Sequence, residues 1–240
     1  MKTIIRQGRI VSPSEVYEGD ILIDGETIAC IGRNLETEGA QVIEAKGKYV
    51  IPGGVDVHTH MDLLAGGSRA VDDFYNGTVA AACGGTTSIV DHMGFGPEGC
   101  DLHHQLKEYH HLADNKAVID YGFHGVAQHV NQDILDELEG MMEDGVPSVK
   151  VYLTYDRRLN DAEALQVLKR MKELGGVTAF HCENHEVVEY CRKAYRESGR
   201  TGPEYHAKSR PNLAEAEAVA RILNLARLAG DAPVYIVHLS

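Results

Sequence analysis

Short apolar runs separated by turn residues fill the first part of the chain, and no helical period interrupts them. Within residues 19–32, Asp24-Gly25 stands between two apolar runs, and this dipeptide is a strong signal for a tight hairpin turn. Residues 4–11, 42–45 and 49–51 are further runs rich in β-branched side chains, which favour strands. The pattern therefore predicts a small β domain over residues 1–51.

A different pattern starts at residue 52, where apolar runs alternate with stretches of helical period. The runs are short, rich in β-branched residues and free of alternating polar positions, as is typical of strands buried on both faces of a parallel sheet. We predict strands at 54–57, 86–90, 117–123, 148–153, 177–180 and 233–237, with helices over 72–82, 102–114 and 132–144 between them.

Two further helices are indicated by their ends. Asn160 with Glu163 three residues later has the spacing of a capping box, and Gly175-Gly176 ends that helix. Asn212 opens a second helix in the same way, and this one ends at Gly230. The stretch 198–211 shows no period, so we expect an irregular surface loop there.

The alternation of strands and helices predicts an α/β fold with right-handed parallel connections. Six such units are fewer than the eight that close a (β/α)8 barrel. Either the sheet is open, or the chain stops before its barrel closes. We predict the second arrangement, an incomplete TIM (β/α)8-type barrel of about six of eight units over residues 52–240, which ends after its sixth strand.

Charge narrows the possible partners. The chain has 23 Lys and Arg against 36 Asp and Glu, a formal net charge of −13 at pH 7. Such a chain is repelled by phosphate backbones and by anionic lipid, so we expect neither nucleic acid nor membrane as a partner. The scattered cysteines, the lack of a signal sequence and the lack of a long apolar run predict a cytoplasmic protein.

Histidines supply the first candidate chemistry. His58 and His60 stand two residues apart on a predicted strand, so their imidazoles point to the same face. His181 and His238 each follow the end of another predicted strand, and such ends meet at one edge of a parallel sheet. Because histidine is the commonest metal ligand, this grouping predicts a metal site. The alternative is that these are strand-end histidines bonded to backbone.

Lys150 is the second unusual residue, because it lies inside the apolar run 148–153. An unpaired ammonium is costly in a buried strand. Either it pairs with a carboxylate or reaches solvent, or it is a neutral amine that has reacted with carbon dioxide. The carbamate formed in that case is negative and has two oxygens that can bridge two cations.

Several motifs together resemble a known family. The segments PGGVDVHTH (52–60) and GGTT (84–87), with the Lys150 strand, resemble the signature of the cyclic amidohydrolases. SVKVYLTY (148–155), HCEN (181–184) and GPEYHA (202–207) resemble the hydantoinase/dihydropyrimidinase branch of that family. DHMGFGP (91–97) and YIVHLS (235–240) resemble most the bacterial D-phenylhydantoinases in that branch. The resemblance covers essentially the whole chain.

The resemblance implies a centre with two divalent metal ions, usually zinc. His58 and His60 would hold the more buried ion, His181 and His238 the second, and carbamylated Lys150 would bridge them. Tyr155 would bind the substrate carbonyl and stabilise its developing negative charge. The substrate-gating segments contain Leu64 and Phe95, which would contact an apolar ring substituent. Asp91 and His92, after the second barrel strand, are expected near the mouth of the site.

The implied activity is metal-dependent hydrolysis of a cyclic amide. A hydroxide bridging the metals would open 5-substituted (aryl) hydantoins to N-carbamoyl amino acids. The family's aspartate, a metal ligand and general acid after the eighth strand, has no counterpart in these 240 residues. We therefore expect this chain alone to be inactive. Family members are often tetramers, so a complete chain would be expected to form a homotetramer.

Three alternatives stay open at this point. The same superfamily contains dihydropyrimidinase, allantoinase and dihydroorotase, whose ring preference is set by loops. Some members of the branch are non-catalytic assembly proteins that have lost the ligands, which the four histidines and Lys150 argue against. A general α/β binding module is the third alternative, but the sequence has no Gly-rich phosphate loop to support it.

Overall fold

A computed structural model describes residues 1–36 and 38–240 of the chain. Two compact units, Met1–Gly54 and Val55–Ser240, make up the structure. That residues 1–51 and 52–240 are separate domains stays a prediction.

The first unit is built on a mixed five-stranded sheet. The strand order is β3-β2-β1-β4, with β5 paired to β1. The predicted hairpin is confirmed: β2 and β3 pair antiparallel, and Gly25 has a φ of 62°, which a glycine adopts without strain. The strands are β1 (Lys2–Val11), β2 (Val16–Asp24), β3 (Thr27–Gly32), β4 (Ala40–Glu44) and β5 (Tyr49–Val50).

The second unit alternates strands with helices, as the sequence predicts. Its main sheet has the order β13-β12-β11-β10-β9-β6, so neighbouring strands follow one another along the chain. The pairs from β9 to β13 are all parallel. The elements are β6 (Gly54–Thr59), the hairpin strands β7 (Leu64–Ala65) and β8 (Ser68–Arg69), α1 (Phe74–Gly84), β9 (Thr86–His92), α2 (Leu102–Ala113), β10 (Asp120–Val126), α3 (Gln132–Glu143), β11 (Ser148–Tyr152), α4 (Asp161–Leu174), β12 (Val177–His181), α5 (His185–Glu197), α6 (Glu204–Lys208), α7 (Asn212–Leu228) and β13 (Val234–Ile236).

The hydrophobic core of this unit fills the space between one face of the sheet and the helices. Because side chains alternate along a strand, the residues between these core positions point to the opposite face. On β11 this places Val149 and Val151 in the core and Lys150 on the other side. The core includes Ile89, Phe123, Val149, Val151 and Phe180 from strands and Leu106, Leu138, Leu168 and Ile222 from helices.

Strand β10 begins three residues later than the sequence predicts. The backbone amides of Lys116 and Ala117 donate to the carbonyl of Ala113, which closes the end of α2. The amide of Val118 donates to Thr78 Oγ1, so it is also withheld from the sheet. The apolar run therefore starts as a helix-to-strand connection and becomes a strand only at Asp120.

Two helical segments were not predicted. Helix α5 begins at Asn184, whose side chain accepts from the amide of Val187, but Val188 is its single buried side chain in the described structure. This helix was overlooked, although Val188, Cys191 and Tyr195 stand at helical spacing. The stretch 198–211, predicted as a loop, contains the short helix α6. No helix in the described residues is both long and apolar enough to span a membrane.

The two predicted caps differ in the structure. Asn160 Oδ1 accepts from the amides of Ala162 and Glu163 at 2.9 and 3.0 Å. In turn, Glu163 Oε2 accepts from the amide of Asn160 at 2.8 Å. This confirms the capping box of α4. At α7 the cap position is Pro211, and no side-chain cap bond is present in the described structure. The prediction that Asn212 caps α7 is therefore wrong, because Asn212 is already the first residue of the helix.

We expect Asn160→Ala to lower the free energy of unfolding by about 1 kcal/mol, the usual contribution of an N-cap side chain. Asn212→Ala is the matched control, and its effect should stay within about 0.5 kcal/mol. Urea unfolding followed by circular dichroism measures both. Equal losses in the two variants would contradict the cap assignment.

Candidate metal centre and its cleft

An open cleft of about 1010 Å³ contains most of the predicted site residues. It lies at the carboxyl ends of the strands, where His181 ends β12 and Lys150 projects from β11. His58 is not part of its lining, but its ring packs against those of His60 and His238. The predicted residues in the lining are His60, Leu64, Phe95, Lys150, Tyr155, His181 and His238.

The first histidine pair is held by a buried carboxylate. The ring centroids of His58 and His60 are 5.1 Å apart. Asp91 Oδ2 accepts from the hydroxyl of Thr59 at 2.6 Å and from the amide of Met61 at 2.8 Å. These bonds fix the backbone on both sides of His60. Burial raises the pKa of Asp91 to about 6, although both hydrogen bonds act in the opposite direction.

The second pair brings two ring nitrogens close together. His181 Nδ1 and His238 Nε2 are 3.1 Å apart. His238 lies in the turn after β13 with a φ of 36°, a left-handed conformation that is costly for a residue other than glycine. Such strain is common at functional sites, where the surrounding structure holds it.

Lys150 lies between apolar neighbours on β11 and is 1% exposed. Its Nζ is 5.3 Å from the centroid of the Tyr152 ring, and no carboxylate pairs with it in the described part of the chain. Burial lowers the pKa of Lys150 to about 7. An amine of this kind is partly neutral at physiological pH and therefore nucleophilic.

The imidazoles beside Lys150 are neutral. Burial, followed by the charge of Lys150, lowers the pKa of His58 to about 3 and that of His60 to about 4. Burial also lowers the pKa of His238. Neutral imidazole is the form that binds a metal ion, because it has a free lone pair.

Tyr155 follows β11 and has a φ of 76°. Its ring centroid is 5.1 Å from that of His181, and the guanidinium carbon of Arg210 lies 5.3 Å from it. Burial raises the pKa of Tyr155, so its hydroxyl stays protonated and able to donate.

Apolar side chains form one side of the cleft. Phe95 packs its ring 5.1 Å from the Tyr152 ring, and Leu64 lies on the small β7–β8 hairpin. Both remain accessible, with 37% of Phe95 and 63% of Leu64 exposed, so they can contact a ligand.

The residues of this cleft fit a pair of metal ions. No three His, Cys, Asp or Glu side chains among the described residues form a ready metal site. The donors instead come as two pairs, with Lys150 close to both. His60 Nδ1 is buried without a hydrogen-bond partner in the described structure. The 3.1 Å between His181 Nδ1 and His238 Nε2 is near the separation of about 3.3 Å for two nitrogens on one tetrahedral zinc ion.

The expectation that Asp91 and His92 lie near the mouth is wrong. Both side chains are fully buried at the end of β9. His92 packs 4.3 Å from the His58 ring and stacks 4.2 Å from His124 on β10. His124 was not singled out in the sequence, although a histidine inside an apolar run is the same kind of signal as Lys150.

The two stacked histidines differ in their hydrogen bonds. His124 Nε2 donates to the carbonyl of Val57 at 3.0 Å, and its Nδ1 accepts from Ser148 Oγ at 2.5 Å. Both ring nitrogens of His92 are buried and have no partner in the described residues. An unpaired buried polar group is destabilising, whereas its apolar replacement is close to neutral or stabilising.

We expect His92→Phe to be neutral or stabilising, and His124→Phe to cost about 1–3 kcal/mol because Val57 and Ser148 lose their partner. Burial lowers the pKa of His92 below the 6.5 of a free histidine, so acid favours the unfolded chain. The advantage of His92→Phe should therefore grow as the pH falls from 7 to 5.5. Urea unfolding at both pH values measures this, and a larger loss for His92→Phe than for His124→Phe would contradict it.

Comparison with known proteins agrees with this geometry. The chain is 51% identical over 241 residues to a D-phenylhydantoinase of Escherichia coli O17:K52:H18, with 100% of this chain and 52% of the relative covered. A solved dihydropyrimidinase from Brevibacillus agri NCHU1002 superposes with a TM-score of 0.97 at 44% identity, over 100% of this chain and 52% of that one. A D-hydantoinase from Bacillus sp. AR9 gives 0.96 at 43% identity, over 99% and 52%.

The chain thus spans about half the length of the relatives it matches. The likeness confirms the predicted α/β fold, with six parallel strands that correspond to part of a hydantoinase barrel. The sequence model of the amidohydrolase family matches residues 49–230. With that match over most of its length, the chain belongs to the amidohydrolase family.

Proposed function

We propose that this cleft binds two divalent metal ions, for which the family resemblance implies zinc, and takes part in hydrolysis of the ring amide of 5-substituted hydantoins. Buried Lys150 is the observation that carries this proposal. It lines the same cleft as His60, His181 and His238 and has no carboxylate partner in the described structure. A structural lysine in this position would need such a partner.

His58 and His60 would hold one ion and His181 and His238 the other. The amine of Lys150, neutral in part because burial lowers its pKa to about 7, would attack carbon dioxide. The N–C bond would form as one C=O π bond of carbon dioxide breaks, one proton would pass from the nitrogen to water, and the resulting negative carbamate would be a metal ligand. Two such ions supply Lewis acidity and make water nucleophilic at neutral pH.

Tyr155 would bind the carbonyl oxygen of the substrate. Its hydroxyl stays protonated because burial raises its pKa, so it can donate to an oxygen that gains negative charge. Stabilising that charge with a donor already in place is often the largest contribution to catalysis. The ring of His181 packs against that of Tyr155, so the donor lies beside the second histidine pair.

Leu64 and Phe95 would contact the substituent on the substrate ring. Their exposed apolar surface suits an aryl group, in keeping with the D-phenylhydantoinase relatives. Dihydropyrimidinase activity is the second candidate, because one of the similar solved structures bears that name. Binding of 5-phenylhydantoin to the zinc-loaded protein, compared with binding of dihydrouracil, distinguishes the two.

The relatives are about twice as long as the region they share with this chain. We therefore propose that these 240 residues alone bind metal but are inactive, because by the family resemblance the remaining part of the relatives would supply a further metal ligand and the general acid. A homotetramer and a cytoplasmic location stay predictions.

Lys150→Met should abolish carbamate formation and lower zinc binding at least tenfold, while the fold is kept because methionine is apolar and of similar size. After incubation with zinc and ¹³C-bicarbonate, ¹³C NMR detects the carbamate and elemental analysis counts the zinc. Lys169→Ala, on the exposed side of α4, is the control. A wild-type protein without carbamate or zinc would overturn the proposed function.

Phe95→Ala should weaken binding of 5-phenylhydantoin to the zinc-loaded protein by about 1–2 kcal/mol, because apolar contact with the substituent is lost. Binding of unsubstituted hydantoin should change less than twofold. Calorimetric titration measures both, with Tyr190→Ala, an exposed residue of α5, as the control. Equal weakening for both ligands would show that Phe95 does not contact the substituent.

A further inference from the structure

We propose that Glu183 and Arg210 are a positioning pair that fixes the ring of His181 and the side chain of Tyr155 as one unit. A role of this pair in catalysis rests on the proposed function, but its effect on the positions of His181 and Tyr155 does not. Neither residue was singled out in the sequence, and they lie 27 positions apart.

Glu183 fixes which nitrogen of His181 carries the proton. Its Oε2 lies 2.6 Å from His181 Nε2, and both side chains are largely buried. The same Oε2 also accepts from Arg210 Nη1. A carboxylate paired with a guanidinium accepts at its oxygens, so Nε2 of His181 is the nitrogen that donates and carries the ring proton. The lone pair is then on Nδ1, which faces His238 Nε2 at 3.1 Å.

Arg210 connects this carboxylate to Tyr155. Its Nη1 donates to Glu183 Oε2, and the same guanidinium lies over the Tyr155 ring at 5.3 Å. With 14% of the arginine and 15% of the glutamate side chain exposed, the ion pair is shielded from water. A planar guanidinium suits this double role, because it can bond in its plane and stack through its face.

Tyr155 needs such support because its backbone is strained. A φ of 76° costs a residue other than glycine on the order of 1–3 kcal/mol, so the conformation lasts only where neighbours enforce it. The rings of His181 and Tyr152 and the guanidinium of Arg210 surround its ring. Losing Arg210 would remove a contact of Tyr155 that also holds Glu183.

Another ion pair of the cleft does not have this role. Arg192 and Glu189 both line the cleft and pair with each other three residues apart on α5. Neither bonds to His181 or Tyr155 in the described structure. Arg192 is therefore a matched control, an arginine of the same cleft in an ion pair of the same kind.

The test uses the metal-free 240-residue protein, so that it does not depend on the proposed function. Ring ¹⁵N shifts of His181, assigned with His181→Gln, report its tautomer. Glu183→Leu should move them from the values of a fixed Nε2–H form toward an average of two tautomers, and Glu183→Gln, which keeps an acceptor, should move them less. In protein labelled with 3-fluorotyrosine, Arg210→Gln should change the ¹⁹F signal of Tyr155, whereas Arg210→Lys and Arg192→Gln should each change it less.

Cobalt(II) binding gives a second measurement. Glu183→Leu should weaken it about 10–100-fold, the usual effect of removing a carboxylate behind a metal-binding histidine. Unchanged His181 shifts in Glu183→Leu, or an unchanged Tyr155 signal in Arg210→Gln, would overturn the positioning pair, with native-like thermal unfolding showing that each variant is folded. If the wild type binds no cobalt while the NMR changes occur as expected, the proposed function fails and the positioning pair stands.

Discussion

The structure of the cleft depends on the amine of Lys150, which is buried without a carboxylate partner among the residues that the structure describes. Lys150 is 1% exposed, and its burial weakens its hold on a proton. Its positive form in turn disfavours protonation of His58 and His60, so the surrounding rings stay neutral. A buried positive charge among neutral rings is unstable unless something negative accompanies it. The proposed carbamate would replace this positive charge by a negative one, which metal ions held by the neutral rings would balance.

The alternation of side chains along the strands lets this polar centre exist beside an apolar core. Val149 and Val151 pack against the helices, while Lys150, between them, faces the histidines. Each strand thus contributes to folding with one face and to chemistry with the other. The strained residues Tyr155 and His238 lie just after strand ends, where the backbone leaves the sheet and a left-handed φ does not break a ladder bond.

The sequence predicts the sheet and the main site residues because both follow short-range rules. Apolar runs mark the strands, and His58, His60, Lys150, His181 and His238 stand in or directly after them. The start of β10 was misplaced because it depends on the bond from the amide of Val118 to Thr78, 40 residues away. The pairing of Glu183 with Arg210 also depends on tertiary structure, and no local pattern brings those two residues together.

An acidic residue supports each histidine pair, but by different means. Asp91 bonds to the side chain of Thr59 and the backbone of Met61, on either side of His60, so it sets the path of the chain and does not bond to the ring. Glu183 bonds to the ring of His181, so it sets which nitrogen is available. The difference follows from position: His60 lies in a connection that needs fixing, whereas His181 ends a strand whose backbone the sheet already holds. Asp91 thus fixes the backbone around His60, and Glu183 fixes the ring of His181, which the backbone of β12 does not orient by itself.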